Sequence, residues 1–358
     1  MGGCVTCLAL PRKAPGSTRA CEAPRLTGLP PEGSLFGVRT VIGAPADQQG
    51  SNSLDETKPN GIYGAPPPEL APVREDALQF SPLMPGAQSL EQCKEGELAS
   101  LVIAAPPGTL ERRYTLALGL KALSPGAELV ALAPKDKGGS RLRKELEAFG
   151  CSVSEDARRH YRICTAKRPD TIIGFGDAVA AGDMRFMETL DLWSQPGIFS
   201  WDRVDPGSEL LLEHLPAFSG RGADLGCGLG TLARAVLASL KVQQLTLLDI
   251  DRRAVDAARR NVSDARAQVR WVDVRSTGVG ETGLDFVVMN PPFHDAGAED
   301  RALGQSFIRR AAECLRPGGG CWLVANRHLA YEAVMKPLFR NIALKAEARG
   351  YKIYEALK

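Results

Sequence analysis

From Leu98 onward, short apolar runs alternate with stretches of helical periodicity, and that rhythm admits few folds. It is the pattern of parallel strands joined by crossover helices. In the first half the strands fall at 101–104 and 129–132, with helices over 110–123 and 139–149. In the second half a strand ends at 223–225, and strands follow at 244–249, 269–272, 284–289 and 321–325. Helices are expected over 231–240, 252–261 and 303–315, and 342–346 with 351–356 reads as a closing antiparallel pair. Seven strands with helices on both faces make a doubly wound α/β domain, whose ligands bind at the carboxyl ends of the strands.

Composition narrows the class further. Hydrophobic residues are 44% and charged residues 24% of the 358, the balance of a globular chain. No run reaches the ~18 apolar residues of a membrane span, so no membrane contact is expected. Nine scattered cysteines, an odd number, suit a reducing compartment, and a cytoplasmic monomer is expected. Residues 1–90 hold 13 of the 25 prolines and 11 of the 37 glycines, so 1–60 reads as a disordered tail. The body is expected to begin near Ala71. The opening Met1-Gly2-Gly3-Cys4-Val5-Thr6-Cys7 matches an acylation pattern, but so short a pattern arises by chance. Cys4, Cys7 and Cys21 lack a fourth ligand for a closed zinc site, and no metal is expected.

Net charge is only +2, so any nucleic-acid contact must come from a local patch. One exists: residues 112–168 carry 13 Lys/Arg against 6 Asp/Glu, including Arg158, Arg159 and Arg162. Such a face attracts phosphate backbones without reading sequence. The loop after the 101–104 strand, Ala105-Pro106-Pro107-Gly108, has one glycine where a cofactor loop would need several.

Three stations in the second half carry chemistry. The first is Asp224-Leu-Gly226-Cys-Gly228-Leu-Gly230, whose alternating glycines let the turn approach a ligand closely. A dinucleotide loop would want G-x-G-x-x-G, and position 231 is Thr. The alternating form with a preceding acid is the pattern for S-adenosylmethionine (SAM). The second station is acidic. Asp249 closes the next strand, 19 residues beyond Gly230, where a carboxylate can accept both ribose hydroxyls. Asp251 is the fallback, and Asp273 is a candidate acceptor for the adenine amine, although each could simply cap a helix.

The third station is Asn290-Pro291-Pro292-Phe293-His294. The Asn290 amide oxygen and the Pro291 carbonyl form an acceptor pair for a planar nitrogen bearing two hydrogens. The prolines stiffen the loop so that the pair is preorganised, and Phe293 offers a face on which a base can stack. His294 could accept the departing proton or merely pack.

Together with Gly197-Ile-Phe-Ser200, Asp205-Pro-Gly207-Ser208-Glu-Leu-Leu-Leu212 and Val324-Ala-Asn326-Arg-His328-Leu-Ala-Tyr331, these stations resemble the bacterial ribosomal RNA guanine-N2 methyltransferases. The resemblance spans about 61–358 and is most specific from Gly197 to Tyr331. It implies two tandem Rossmann-like methyltransferase domains: a degenerate one over 61–190 that holds RNA and a catalytic one over 191–358. It implies SAM as cofactor, and ribosomal RNA or a ribosomal subunit as partner. Phe199, Ser200 and Asp205 would lie near the cofactor mouth and Asn326 near the target base. Adenine-N6 and protein glutamine-N5 methyltransferases share the Asn-Pro-Pro-aromatic station and remain the alternative.

Overall fold

The computed structural model describes residues 58–292, 294–295, 298–299 and 301–358. Nearly all of the expected tail, with its three cysteines and its acylation-like start, lies outside the described residues. The described fold starts well before Ala71. Asn60, placed by sequence at the end of the tail, opens β1 (Asn60–Tyr63), and its Oδ1 accepts the Ser100 hydroxyl at 2.6 Å.

The first sheet comprises β1, β2 (Leu78–Phe80), β3 (Leu98–Ala104), β4 (Leu123–Pro134), β5 (Val153–Arg158) and β6 (Tyr161–Lys167). Its order is β2-β1-β3-β4-β6-β5. The first four strands are parallel, while β6 is antiparallel to both β4 and β5, so the sheet is mixed rather than wholly parallel. Helices α1 (Thr109–Ala122), α2 (Ser140–Ala148) and α3 (Phe175–Gly182) accompany it. Leu98, Leu101 and Ile103 of β3 pack with Leu116 and Leu120 of α1 in its core.

A short antiparallel ribbon, β7 (Arg185–Met187) with β8 (Leu192–Ser194), and α4 (Pro206–Leu212) lead into the second sheet. There β9 (Gly220–Leu225), α5 (Thr231–Leu237), β10 (Val242–Asp249), α6 (Arg252–Asn261), β11 (Ala267–Trp271), α7 (Val274–Thr277) and β12 (Leu284–Met289) follow in turn. The ladder of β13 (His294–Asp295) with β14 (Ala298–Glu299) precedes α8 (Arg301–Cys314), β15 (Leu315–Asn326), α9 (Glu332–Met335), β16 (Asn341–Ala348) and β17 (Tyr351–Leu357). The order is β11-β10-β9-β12-β15-β17-β16, seven strands with the expected closing antiparallel pair. Side chains alternate across it. Val287 and Met289 of β12 join Ile308 of α8 on one face, and Phe286 and Val288 join Val236 of α5 on the other. Burial on both faces is why these strands read as continuous apolar runs. Among the described residues no helix is long and apolar enough to cross a membrane.

The two sheets share one plan. Aligned on their antiparallel ends, the first repeats the strand order of the second but lacks a counterpart of β11. This alignment sets β3 against β12 and β1 against β9. The loop at 105–108 therefore does not hold the cofactor-loop position expected of it; Gly64-Ala65-Pro66-Pro67, after β1, does. Ala105-Pro106-Pro107 is instead the counterpart of Asn290-Pro291-Pro292, with alanine where the second half has its amide.

Arg112 fills the space beyond that loop. It is fully buried and donates through Nη1 to the carbonyls of Pro106 (3.2 Å) and Pro107 (2.7 Å). Its Nε and Nη2 form a bidentate pair with Glu145 at 2.7 and 2.8 Å. Breaking a buried pair strands the remaining charge. Arg112→Met is expected to destabilise the first half by about 3–5 kcal/mol, read as a lower urea midpoint.

Candidate active site

The site forms where the strands of the second sheet end. Gly226, Gly228 and Gly230 all adopt positive φ, at +74°, +52° and +83°, a region that side-chain-bearing residues avoid. One of them also answers a spatial demand. A Cβ on Gly230 would lie 2.7 Å from Val262 Cγ2, so glycine lets the loop pack close beneath α6. A Cβ on Gly228 would meet nothing within 4 Å, so the bare backbone there borders open space.

Asp249 holds this loop in place. Its Oδ2 accepts the Gly228 N–H at 2.8 Å and its Oδ1 the Asp251 N–H at 2.9 Å. The Ile250 N–H also eases the charge on this carboxylate. Burial pushes the carboxyl up to about 6, against the pull of those N–H groups. Asp251 does not serve as the fallback: it caps α6 and binds the Arg253 guanidinium through both oxygens, at 2.9 and 2.8 Å. Asp273 likewise caps α7, and its two oxygens take the Arg275 guanidinium at 2.9 and 3.0 Å. Burial opposes the charge on Asp273, but Arg275 outweighs it and holds the carboxyl below its usual range.

Asp224, next to last in β9, is fully buried; neither carboxylate oxygen makes a well-formed hydrogen bond among the described residues, and only the Ala233 N–H eases its charge. Burial, then the neighbouring Asp249 charge, raises it to about 8. A desolvated carboxylate without a counter-charge beside an open glycine loop is suited to a cationic ligand.

Asn290 follows β12, and its Nδ2 donates to Asp205 Oδ2 at 2.8 Å and to Ser208 Oγ at 2.9 Å. Both amide hydrogens are thus engaged, which fixes the flip and leaves Oδ1 as the acceptor. Asp205 also caps α4 by accepting the Ser208 N–H at 2.7 Å. One carboxylate therefore anchors both the helix and the amide. Sequence reasoning placed Asp205 only near the cofactor mouth and gave Ser208 no role; the Asp-Pro-x-Ser opening of a short helix was the available signal.

A cleft brings together Phe199, Ser200, Asp205, Gly226, Gly228 and Asn290, with Leu190 and Leu192 as its apolar wall. Phe199 is 60% exposed, and Ser200 sits in the left-handed region at φ +51°. Pro291 is buried and Pro292 half-buried. Phe293 lies outside the described residues, as does the side chain of His294. Asn326 ends β15 with its backbone paired to Tyr351 and does not line the cleft.

In the basic run of the first half, Arg158, Arg159 and Arg162 pair with Asp156 (2.7 Å), Glu69 (2.9 Å) and Glu155 (3.5 Å). These arginines are surface ion pairs, not bare cations.

Asp224 makes stability depend on pH. In the folded chain it keeps its proton up to about 8, whereas an unperturbed carboxyl releases it at 3.8. Between those values the folded state binds more protons than the unfolded, so stability falls as pH rises. Asp224→Asn is expected to raise the melting temperature by a few degrees at neutral pH, with the gain vanishing below the lower value.

Known proteins place this geometry in a family. Residues 189–355 match the methyltransferase small domain. The ribosomal RNA small subunit methyltransferase C of Pseudomonas entomophila is 33% identical over 258 residues, 70% of this chain and 77% of that protein. The enzyme of the same name from Pseudomonas aeruginosa is 31% identical over 292 residues, 78% of this chain and 86% of that one. Among solved structures, the T. thermophilus 16S rRNA N2 G1207 methyltransferase, in complex with AdoMet and guanosine, superposes with a TM-score of 0.70. It is 24% identical and covers 85% of this chain and 90% of its own. A mixed six-stranded sheet followed by a seven-stranded one, with the glycine loop and the amide station on the second, is thus the two-domain methyltransferase fold, and the chain belongs to the ribosomal RNA small subunit methyltransferase C family.

Proposed function

We propose that this protein transfers a methyl group from SAM to the exocyclic N2 amine of a guanine in 16S ribosomal RNA. The observation that carries the reading is the Asn290 amide, fixed by Asp205 and Ser208 so that its oxygen is the acceptor. With the Pro291 carbonyl it makes two acceptors for the two hydrogens of one amine. That pairing orients the nitrogen and favours its pyramidal form as the reaction proceeds.

Two features of the chain fit the cofactor: the orphaned Asp224 carboxylate and the open space over Gly228. Gly226, Gly228 and Gly230 would border it, Asp224 would give up its proton to offset the positive charge, and the Asp249 carboxylate would accept from the ribose hydroxyls. Asp273 keeps a place at the adenine end only beside its Arg275 pairing. When bound, SAM supplies a methyl group already activated on sulfonium. The chain's own part is alignment. Phe199 and Phe293 offer stacking faces to the extruded base, Ser200 shapes the wall of the cleft, and Pro292 stiffens the loop. His294 and water are the two acceptors for the amine proton.

The same reading assigns RNA grip to the first half and catalysis to the second. It places the protein in a reducing compartment, the cytoplasm, which suits the six described cysteines, all free and buried.

The decisive assay incubates the protein with labelled SAM and either 16S ribosomal RNA or a release factor. Label is expected on a guanine of the RNA; label in the release factor would overturn the reading. Asn290→Ala should lower turnover by roughly 10²–10³-fold with SAM affinity unchanged. Asp249→Ala should weaken SAM binding by about 1.5–3 kcal/mol for each hydrogen bond removed.

The first half is tested separately. The pairs of Arg158 and Arg159 are exposed and that of Arg162 partly so; water screens such pairs, so they exchange readily for phosphate. Reversing the three to Glu should weaken RNA binding and reduce the slope of log K against log salt by roughly 0.7–0.9 for each phosphate no longer neutralised. An unchanged slope would leave RNA grip to the catalytic half.

A further inference from the structure

One group of buried charges lies outside the cleft and joins the two halves. Arg253 of α6 is 6% exposed, and burial works against its charge. Asp251 and Glu111 outweigh that penalty and hold the guanidinium charged. Asp251 is its neighbour in sequence, but Glu111 stands on α1 of the first half, 142 residues away. The Arg253 Nη1 to Glu111 Oε1 contact is 2.6 Å, and both side chains are nearly shut off from water.

From this pair two paths lead into the site. Along the first, Arg253 grips both oxygens of Asp251, the Asp251 N–H donates to Asp249 Oδ1, and Asp249 Oδ2 accepts the Gly228 N–H. Along the second, Arg253 Nη2 donates to the Gly197 carbonyl at 3.4 Å, two residues before Phe199 on the cleft wall. Gly197 lies directly against the pair: a Cβ there would come within 2.1 Å of Arg253 Nη1 and 2.6 Å of Glu111 Cδ. Side chains adjust little in packed interiors, so an ion pair held this tightly fixes what rests on it.

We infer that Glu111 is a positioning residue for the cofactor. Through Arg253 it sets both the Asp249 carboxylate and the Gly197–Ser200 wall, so the half without a glycine loop completes the cofactor site of the other. The inference rests on the methyltransferase reading above and adds a role to the first half besides RNA contact.

A second link separates positioning from mere docking. Arg252, one residue before Arg253, donates to Glu91 Oε2 at 3.0 Å, and its N–H donates to the Pro82 carbonyl at 2.8 Å. That link also ties the halves, but among the described residues the Arg252 guanidinium donates to Glu91 and not to Asp251 or Gly197.

The test is calorimetric titration of SAM into the full chain, with steady-state kinetics beside it. Glu111→Gln is expected to weaken SAM binding by roughly 5- to 20-fold, raise KM for SAM and leave kcat at saturating SAM unchanged. Glu91→Gln should leave SAM affinity where it was. In an Asp249→Asn background the Glu111→Gln effect should shrink, because one of the two paths runs through Asp249. Should Glu111→Gln fail to fold, Glu111→Asp, which keeps the charge but shortens its reach, gives the same readout. Unaltered SAM affinity in the folded Glu111 variant, or effects of Glu111 and Asp249 that simply add, would overturn the inference and leave the methyltransferase reading intact. A wild-type chain that binds no SAM would overturn both.

Discussion

The Asp249 carboxylate fastens three things that the chain would otherwise let drift apart. It accepts one N–H from the glycine loop after β9 and another from the turn that opens α6, while its own backbone ends β10. A loop with three positive-φ glycines has a large conformational entropy to lose, and two charge-assisted bonds are a direct way to offset it. The carboxyl is also left above its ordinary range by burial, so the loop is held by a group that is itself under tension. Asp224, one strand away, keeps its proton up to about 8 because it is buried beside the Asp249 charge. The site is organised around buried carboxyls that are short of counter-charge.

How much of this was legible depended on whether local pattern or distant contact set each feature. Helix 252–261 and strand 284–289 were readable to the residue, because an Asp cap, an Asn close and unbroken apolar runs marked their ends. The positions of the glycine loop, Asp249 and the Asn290 station at the ends of β9, β10 and β12 were readable because each closes an apolar run. The start of the first half was not. β1 and β2 are four and three residues long and lie among prolines, too short for a period to declare itself. Missing them shifted the whole comparison by one strand, so 105–108 was matched to the wrong loop. The choice between Asp249 and Asp251 needed Arg253, and Arg253 needed Glu111 from the other half. No spacing rule reaches across such a separation.

The shared strand order makes the two halves unequal copies of one plan, and their differences track where ligands would sit. The second sheet has an additional edge strand, β11, alongside β10, which carries Asp249. The first half lacks that edge, lacks alternating glycines after β1, and has Ala105 where Asn290 stands. Its helix α1 has taken up a different task, presenting Glu111 outward to its neighbour and Arg112 inward to its own core.

Arg112 also governs what this chain could become. In the first half it occupies the carbonyls of Pro106 and Pro107, the counterparts of those of Pro291, proposed above as an acceptor for the amine, and Pro292. A substitution that vacates the position strands Glu145 and two acceptors in a dry interior, while one that retains the guanidinium keeps the carbonyls blocked. Neither single step opens the loop without a loss of stability that no ligand is yet present to offset. A second transfer centre is therefore out of reach by point mutation, and selection acting on this chain is left to divide labour between the halves more finely.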